Sequence, residues 1–161
     1  MNLIGVDLGI HKVAQFGWDG DIPFCDVTSV DPGFSRATQL HILAGAVHDL
    51  AELHECRSVW IEDTLIGNNR KYSLQLTEVR GAVMAALAMH ADVRTVNVAT
   101  WKSQVVGDGH ANKDSVRDYI HVTHGSYAAL CGADQDLYDS CCIALYGQQT
   151  MERADKLRLA P

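Results

Sequence analysis

The sequence predicts an α/β fold in which a five-stranded mixed sheet carries helices on both faces. Three observations predict it. The opening third reads as short strands joined by tight turns, the apolar period then changes from that of strands to that of helices, and two later apolar runs each sit between helical segments.

Leu3-Ile4-Gly5-Val6 is a buried first strand that ends on Asp7-Leu8-Gly9. Val13 to Trp18 and Ile22 to Val30 flank Asp19-Gly20-Asp21, an Asp-Gly turn, so the start reads as a three-stranded antiparallel meander. Asp31-Pro32-Gly33 breaks the chain. From Ser35, the residues Leu40, Leu43, Ala44, Val47, Leu50, Ala51 and Leu53 are spaced for one face of a helix. Ser58-Val59-Trp60-Ile61-Glu62 is a second buried strand with a terminal acid. The polar loop Gly67-Asn68-Asn69-Arg70 leads into a helix over about 72–90 that is rich in Gly81, Ala82, Ala85, Ala86 and Ala88. Val93 to Val98 reads as the fifth strand. Lys113 to His121 reads as a helix after Gly107-Asp108-Gly109, and Gln135 to about Gln149 as the last helix. Helical connections make strands one, four and five parallel.

A chain of 161 residues, 47% hydrophobic, has enough apolar content for one core, so a single domain over 1–161 is expected, with the tail from about 151 to 161 extending the last helix or hanging free. No run reaches the roughly 18 to 20 apolar residues of a membrane helix, and Met1-Asn2-Leu3-Ile4 lacks the basic flank of a signal peptide. The expected location is cytoplasmic, with no membrane partner. Five cysteines, two of them adjacent in an apolar helical run, read as buried free thiols. His110, His121 and His124 read as surface or helix-end residues.

The net charge of −7 argues against nucleic acid as a partner if only the total is counted. Its distribution argues otherwise. Arg70, Lys71, Arg80, Lys102, Lys113 and Arg117 all fall within one stretch of the chain, and several of the acids form a separate pattern. Asp7 and Glu62 follow strands that belong in the middle of the sheet, and Asp136 and Asp139 are three apart on one helix face, anchored by Cys141-Cys142-Ile143-Ala144-Leu145. Carboxylates gathered without cations would raise one another's pKa and destabilise the fold. Hard oxygen ligands suit Mg²⁺ or Mn²⁺, and two such ions promote in-line phosphoryl displacement. Taken singly, each acid has an ordinary reading: Asp134 or Asp136 as a helix cap, Asp7 as a turn residue, Glu62 as a surface acid beside Asp63.

With those residues in place, the chain resembles the RuvC family of Holliday-junction resolvases, in the ribonuclease H-like superfamily, over nearly its full length. Ile4-Gly5-Val6-Asp7-Leu8-Gly9 is similar to the family's first catalytic strand. Trp60-Ile61-Glu62, with Asn69, Gln75, Leu76, Arg80 and Gly81, is similar to its second segment. The stretch from Trp101-Lys102 to Asn112-Lys113 looks like its basic loop, and Asp136-Leu137-Tyr138-Asp139-Ser140 like its last motif. The resemblance implies strand order 3-2-1-4-5 with strand 2 antiparallel. It implies a homodimer that nicks four-way DNA junctions symmetrically in recombination and repair, leaving 5′-phosphate and 3′-hydroxyl ends.

By the same resemblance Asp7, Glu62, Asp136 and Asp139 are the metal ligands, expected to hold two Mg²⁺ or Mn²⁺ ions, with Lys102 and Lys113 as catalytic cations. Leu65, Asn69, Arg70, Lys71, Arg80, Lys102, Lys113 and Arg117 are the expected DNA contacts, and the 72–90 helix the expected dimer surface. The family's loop after the catalytic Glu carries an aromatic residue. Here it reads Thr64-Leu65-Ile66-Gly67, which resembles phage-borne members of broader action on branched DNA. Two other readings remain: a nuclease of flaps, forks and three-way branches, and a non-catalytic junction-binding module. Asp7-Leu8-Gly9-Ile10-His11-Lys12 also resembles the phosphate-binding turn of actin- or sugar-kinase-like ATPases, whose folds need two such domains.

Overall fold

The computed structural model describes residues 2–63 and 69–159. β1 (Leu3–Leu8), β2 (Lys12–Asp19) and β3 (Ile22–Ser29) form the expected antiparallel meander. Gly20 closes the β2–β3 hairpin with φ +61°, a conformation that glycine adopts without steric cost. β4 (Ser58–Glu62) runs parallel to β1, and β5 (Asp92–Val96) parallel to β4, so the sheet order is β3-β2-β1-β4-β5.

Side chains alternate between two cores. On one face Ile4, Val6, Val13, Val59 and Ile61 meet Leu43, Val47 and Ala51 of α1 (Arg36–Leu53) and Val79, Val83 and Leu87 of α2 (Arg70–Leu87). On the other, Leu3, Phe16, Trp18 and Trp60 meet Tyr138, Cys141, Cys142, Ile143, Ala144 and Leu145 of α6 (Gln135–Leu159). Burying each large aliphatic of these layers contributes about 1.5–3 kcal/mol. α6 lies close against β1 because Gly5 has no side chain. A Cβ there would overlap backbone atoms of Ser140 and Ala144.

Several boundaries differ from those expected, each for a local reason. β5 stops at Val96 because the Asn97 side chain accepts the Ala99 N–H at 2.9 Å and starts α3 (Val98–Trp101). A π-helical turn, Lys102–Val106, follows and ends at Gly107 with φ +91°. Trp101 and Val105 bury themselves from this segment. α2 begins at Arg70, where Asn69 caps it by accepting from Tyr72 N–H at 3.1 Å. α4 (Lys113–Thr123) is followed by α5 (Gly125–Cys131), a short helix too brief to show a period in sequence. α6 continues through the tail to Leu159.

The five cysteines are unpaired, and four of them are buried. His121 Nε2 lies 3.0 Å from the Tyr138 hydroxyl, and His124 stacks on Tyr127. Among the described residues no helix is long and apolar enough to cross a membrane.

Candidate metal centre

Asp7 is the penultimate residue of β1 and Glu62 the last of β4. Val6 lies beside Ile61 in the parallel pairing, so both acids emerge from one edge of the sheet. The chain turns away directly after Asp7, where Gly9 N–H donates to Lys12 O at 2.7 Å. From the opposite side α6 delivers Asp136 and Asp139, one helical turn apart, at the height that its seat on Gly5 dictates.

Asp7, Asp136 and Asp139 each offer an oxygen, and these three oxygens lie within 4.8 Å of one another. Glu62 lines the same cleft of about 390 Å³, beside them, with its Oε2 accepting the Trp101 indole N–H at 2.9 Å. The four acids expected from the sequence therefore share one cleft, three of them at mutual ligand distance.

The electrostatics are those of a cluster only partly compensated by nearby lysines. Loss of solvent raises the Asp7 pKa well above the ordinary carboxylate value, and Glu62, Asp139 and Asp136 raise it further. Burial also raises Glu62, against the lowering effect of the Trp101 N–H. Asp139 is raised by burial too, with Lys102 and Lys113 acting the other way. Asp139 Oδ1 is buried and has no hydrogen-bond partner among the described residues.

The expected cations divide into groups. Lys113 lines the cleft, with Nζ 3.8 Å from Asp136 Oδ1 and a largely exposed side chain. Lys102 instead donates to the Ala111 carbonyl at 2.7 Å and lies over the Trp101 ring, so it braces the segment that holds Glu62. Arg80 pairs with Asp63, the residue after Glu62, and Arg117 pairs with Asp114 at 2.8 Å. Arg70 and Lys71 are exposed in the first turn of α2, with Asn69 as its cap. Leu65 lies outside the described residues.

Several participants escape a reading by motif. Lys12 Nζ donates to both oxygens of Asp134, at 2.9 and 2.8 Å, and to Asp136 Oδ2 at 2.8 Å. Asp134 in turn accepts the Asp136 N–H at 3.0 Å, so Asp134 caps the helix and leaves Asp136 free to face the cleft. Burial pushes the Asp134 pKa up, but the Lys12 ammonium and the helix N–H groups hold it below the ordinary value. Trp101 stands in the basic-loop motif with no role assigned to it there, and the half-exposed ring of Tyr72, which lines the cleft, has no motif to mark it. An indole donor aimed at an acid leaves no periodic trace in sequence. Lys12 stands in sequence at the end of the turn over 7–12, and nothing in that spacing implies its contacts with Asp134 and Asp136.

The donor set fits a divalent cation. Three converging carboxylate oxygens, a fourth acid alongside and a buried oxygen lacking any partner make an all-oxygen, strongly negative pocket of the kind hard cations occupy. Asp7, Asp136 and Asp139, with Glu62, are the residues able to hold such an ion.

Comparison with known proteins agrees with this geometry. Residues 24–125 match the family model described as Crossover junction endodeoxyribonuclease RuvC. That span contains Glu62, Lys102 and Lys113, whereas Asp7, Asp136 and Asp139 lie outside it. The protein of that name from Hyphomonas neptunium is 40% identical over 92 residues, which span 55% of this chain and 54% of that relative. The one from Polynucleobacter asymbioticus is 28% identical over 157 residues, covering 92% of this chain and 91% of its own length. Among solved structures, Thermus thermophilus RuvC in complex with Holliday junction substrate superposes with a TM-score of 0.78 over 90% of this chain and 91% of that one, at 20% identity. The shared architecture is the ribonuclease H-like fold.

Proposed function

Since the chain belongs to the crossover junction endodeoxyribonuclease RuvC family, we propose that it is a metal-dependent endonuclease that resolves four-way DNA junctions, with Asp7, Glu62, Asp136 and Asp139 as its metal ligands. The observation that carries this reading is the convergence of the Asp7, Asp136 and Asp139 oxygens within 4.8 Å on this family's fold. Mg²⁺ or Mn²⁺, two ions per site, is the proposed cofactor. Such ions, when bound, supply positive charge that polarises the scissile phosphate and favours an attacking water.

The chain's own residues do the rest. β1 and β4 fix Asp7 and Glu62 on a rigid edge, and the Trp101 N–H keeps the Glu62 carboxylate turned into the cleft. Lys113, largely exposed at the rim, meets a phosphate or offsets charge that develops on it. Arg70 and Lys71 extend the cationic rim along α2, and Tyr72 offers a ring against which a base can stack.

A second copy of the chain completes the reading, since paired symmetric nicks require two clefts related by a two-fold axis. The outer face of α2 suits that contact. It exposes Leu74 and Met84, with Gly81 and Ala85 between and beside them, and Met89 just past its end is fully exposed.

A cleavage panel of four-way, three-way, flap and linear DNA, with and without Mg²⁺, tests the proposal. Metal-dependent cutting concentrated on the four-way junction is expected. Comparable cutting of flaps and three-way branches would favour a broader branch nuclease, and tight junction binding with no cutting a non-catalytic module.

A further inference from the structure

We propose that Lys12 is a built-in counter-cation that competes with a divalent ion for Asp136, so that this site takes up Asp136 as a ligand only when the Lys12 ammonium leaves it. The inference rests on the metal site proposed above and deepens it.

Lys12 is the first residue of β2, directly after the turn that follows Asp7. Its position is fixed from three directions. Both Asp134 oxygens and Asp136 Oδ2 accept from its Nζ at 2.8–2.9 Å, and its side chain is about one-third exposed, so the ammonium has given up much of its water for these partners. Asp134 is itself held by the start of α6, through its bond from Asp136 N–H. Lys113 approaches the other Asp136 oxygen, at 3.8 Å. Both oxygens of Asp136 thus face an ammonium, whereas Asp139 Oδ1 has no hydrogen-bond partner among the described residues.

A divalent ion needs bare oxygen lone pairs, and an ammonium hydrogen-bonded to Asp136 Oδ2 occupies one of the directions the ion would use. Like charges sharing one carboxylate also repel each other. Ion and ammonium therefore oppose each other at Asp136 while Asp7, Glu62 and Asp139 remain available. Asp134 gives the displaced ammonium a resting place only a short movement away, because it already holds Lys12 through two bonds. By reciprocity, whatever draws Lys12 off Asp136 strengthens metal binding, and metal binding frees Lys12 for another anion. In a nuclease that anion is a backbone phosphate, which makes Lys12 a positioning residue linking substrate seating to completion of the metal site.

The test is calorimetric titration of the free protein with Mn²⁺, comparing the native chain with Lys12→Met, Lys12→Gln and Lys12→Arg. Each protein is first checked by circular dichroism. Met and Gln remove the charge at a partly exposed position, and Arg keeps it. The expected result is tighter Mn²⁺ binding in Lys12→Met and Lys12→Gln, by about 10- to 100-fold or through an additional bound ion, with Lys12→Arg close to native. A merely structural lysine would leave affinity unchanged or lower it in both neutral variants, and either result overturns the inference. If no form, native included, binds Mn²⁺ in a manner abolished by Asp7→Asn, the metal reading itself fails and takes this inference with it. Equal binding by native and neutral variants removes only the role of Lys12.

Discussion

The two walls of the cleft treat their negative charge differently. On the strand wall Asp7 and Glu62 are half-buried and raised in pKa by burial, with the Trp101 N–H and the Lys102 charge opposing the rise at Glu62 and the Lys113 charge opposing it at Asp7. On the helix wall Asp136 has the Lys12 ammonium at 2.8 Å and Lys113 at 3.8 Å, and Asp134 is held below the ordinary carboxylate range. Asp139 belongs to the helix by sequence but to the strand wall by environment, since its Oδ1 is buried and unpartnered. The contrast teaches where a cation is needed. Lysines hydrogen-bonded to or beside the rim acids offset their charge directly, whereas the floor acids stay raised in pKa despite the more distant charges of Lys102 and Lys113.

The most severe way to break this contrast is to remove charge from the floor. Asp7→Asn should lower cleavage of a four-way junction by at least about a thousandfold, measured as single-turnover rates, while gel-shift binding of the junction persists. Next in size is the distance between the walls. Gly5→Ala should drive α6 away from β1 and cost about 3 kcal/mol or more, read from denaturant unfolding, because the new methyl meets backbone rather than a movable side chain.

Removing the Trp101 donor from the strand wall is milder. Trp101→Phe keeps the ring and loses the N–H on Glu62, and should weaken Mn²⁺ affinity by about tenfold, read by calorimetry. On the rim, Lys113→Ala should slow cleavage by about tenfold while changing metal affinity less, which one metal titration of the rate separates.

The smallest effect is on stability against pH. Asp7, Glu62 and Asp139 have raised pKa values in the folded, metal-free chain, so the fold binds protons that the unfolded chain has released. Stability of the metal-free protein should therefore fall as pH rises from the ordinary carboxylate range through the raised values. Divalent ion offsets the repulsion, so the Tm gain on adding Mg²⁺ should be larger at about pH 8 than at about pH 5, by a few degrees. A constant or shrinking gain would contradict the charge-deficit account of the floor.

Much of this architecture is legible in the residues. The antiparallel meander follows from its Asp-Gly turn and the parallel run of strands one, four and five from helical crossovers, while the full strand order comes with the family resemblance; the four acids stand where strands and the last helix must place them. What escaped is short or non-periodic. α5 has seven residues, and the segment 98–106 starts at an Asn97 cap and bends through a π turn, so neither shows a helical repeat. Among site residues, Asp136 and Asp134 could not be told apart as ligand and cap from spacing alone. The bonds from Asp136 N–H and Lys12 to Asp134 separate them. Lys102 and Lys113 belong to one basic loop in sequence, yet only Lys113 lines the cleft, because the Ala111 carbonyl and the Trp101 ring hold Lys102. Cross-chain contacts of this kind depend on three-dimensional packing that no linear spacing encodes.

The central claim, that this acidic cleft cuts four-way junctions as a symmetric pair, is tested most directly by mapping nicks on an end-labelled junction in Mg²⁺. Paired nicks at symmetry-related positions on two strands of like polarity, with ligatable 5′-phosphate ends, are predicted. Unpaired nicks, or equal cutting of a linear duplex of the same sequence, would contradict it.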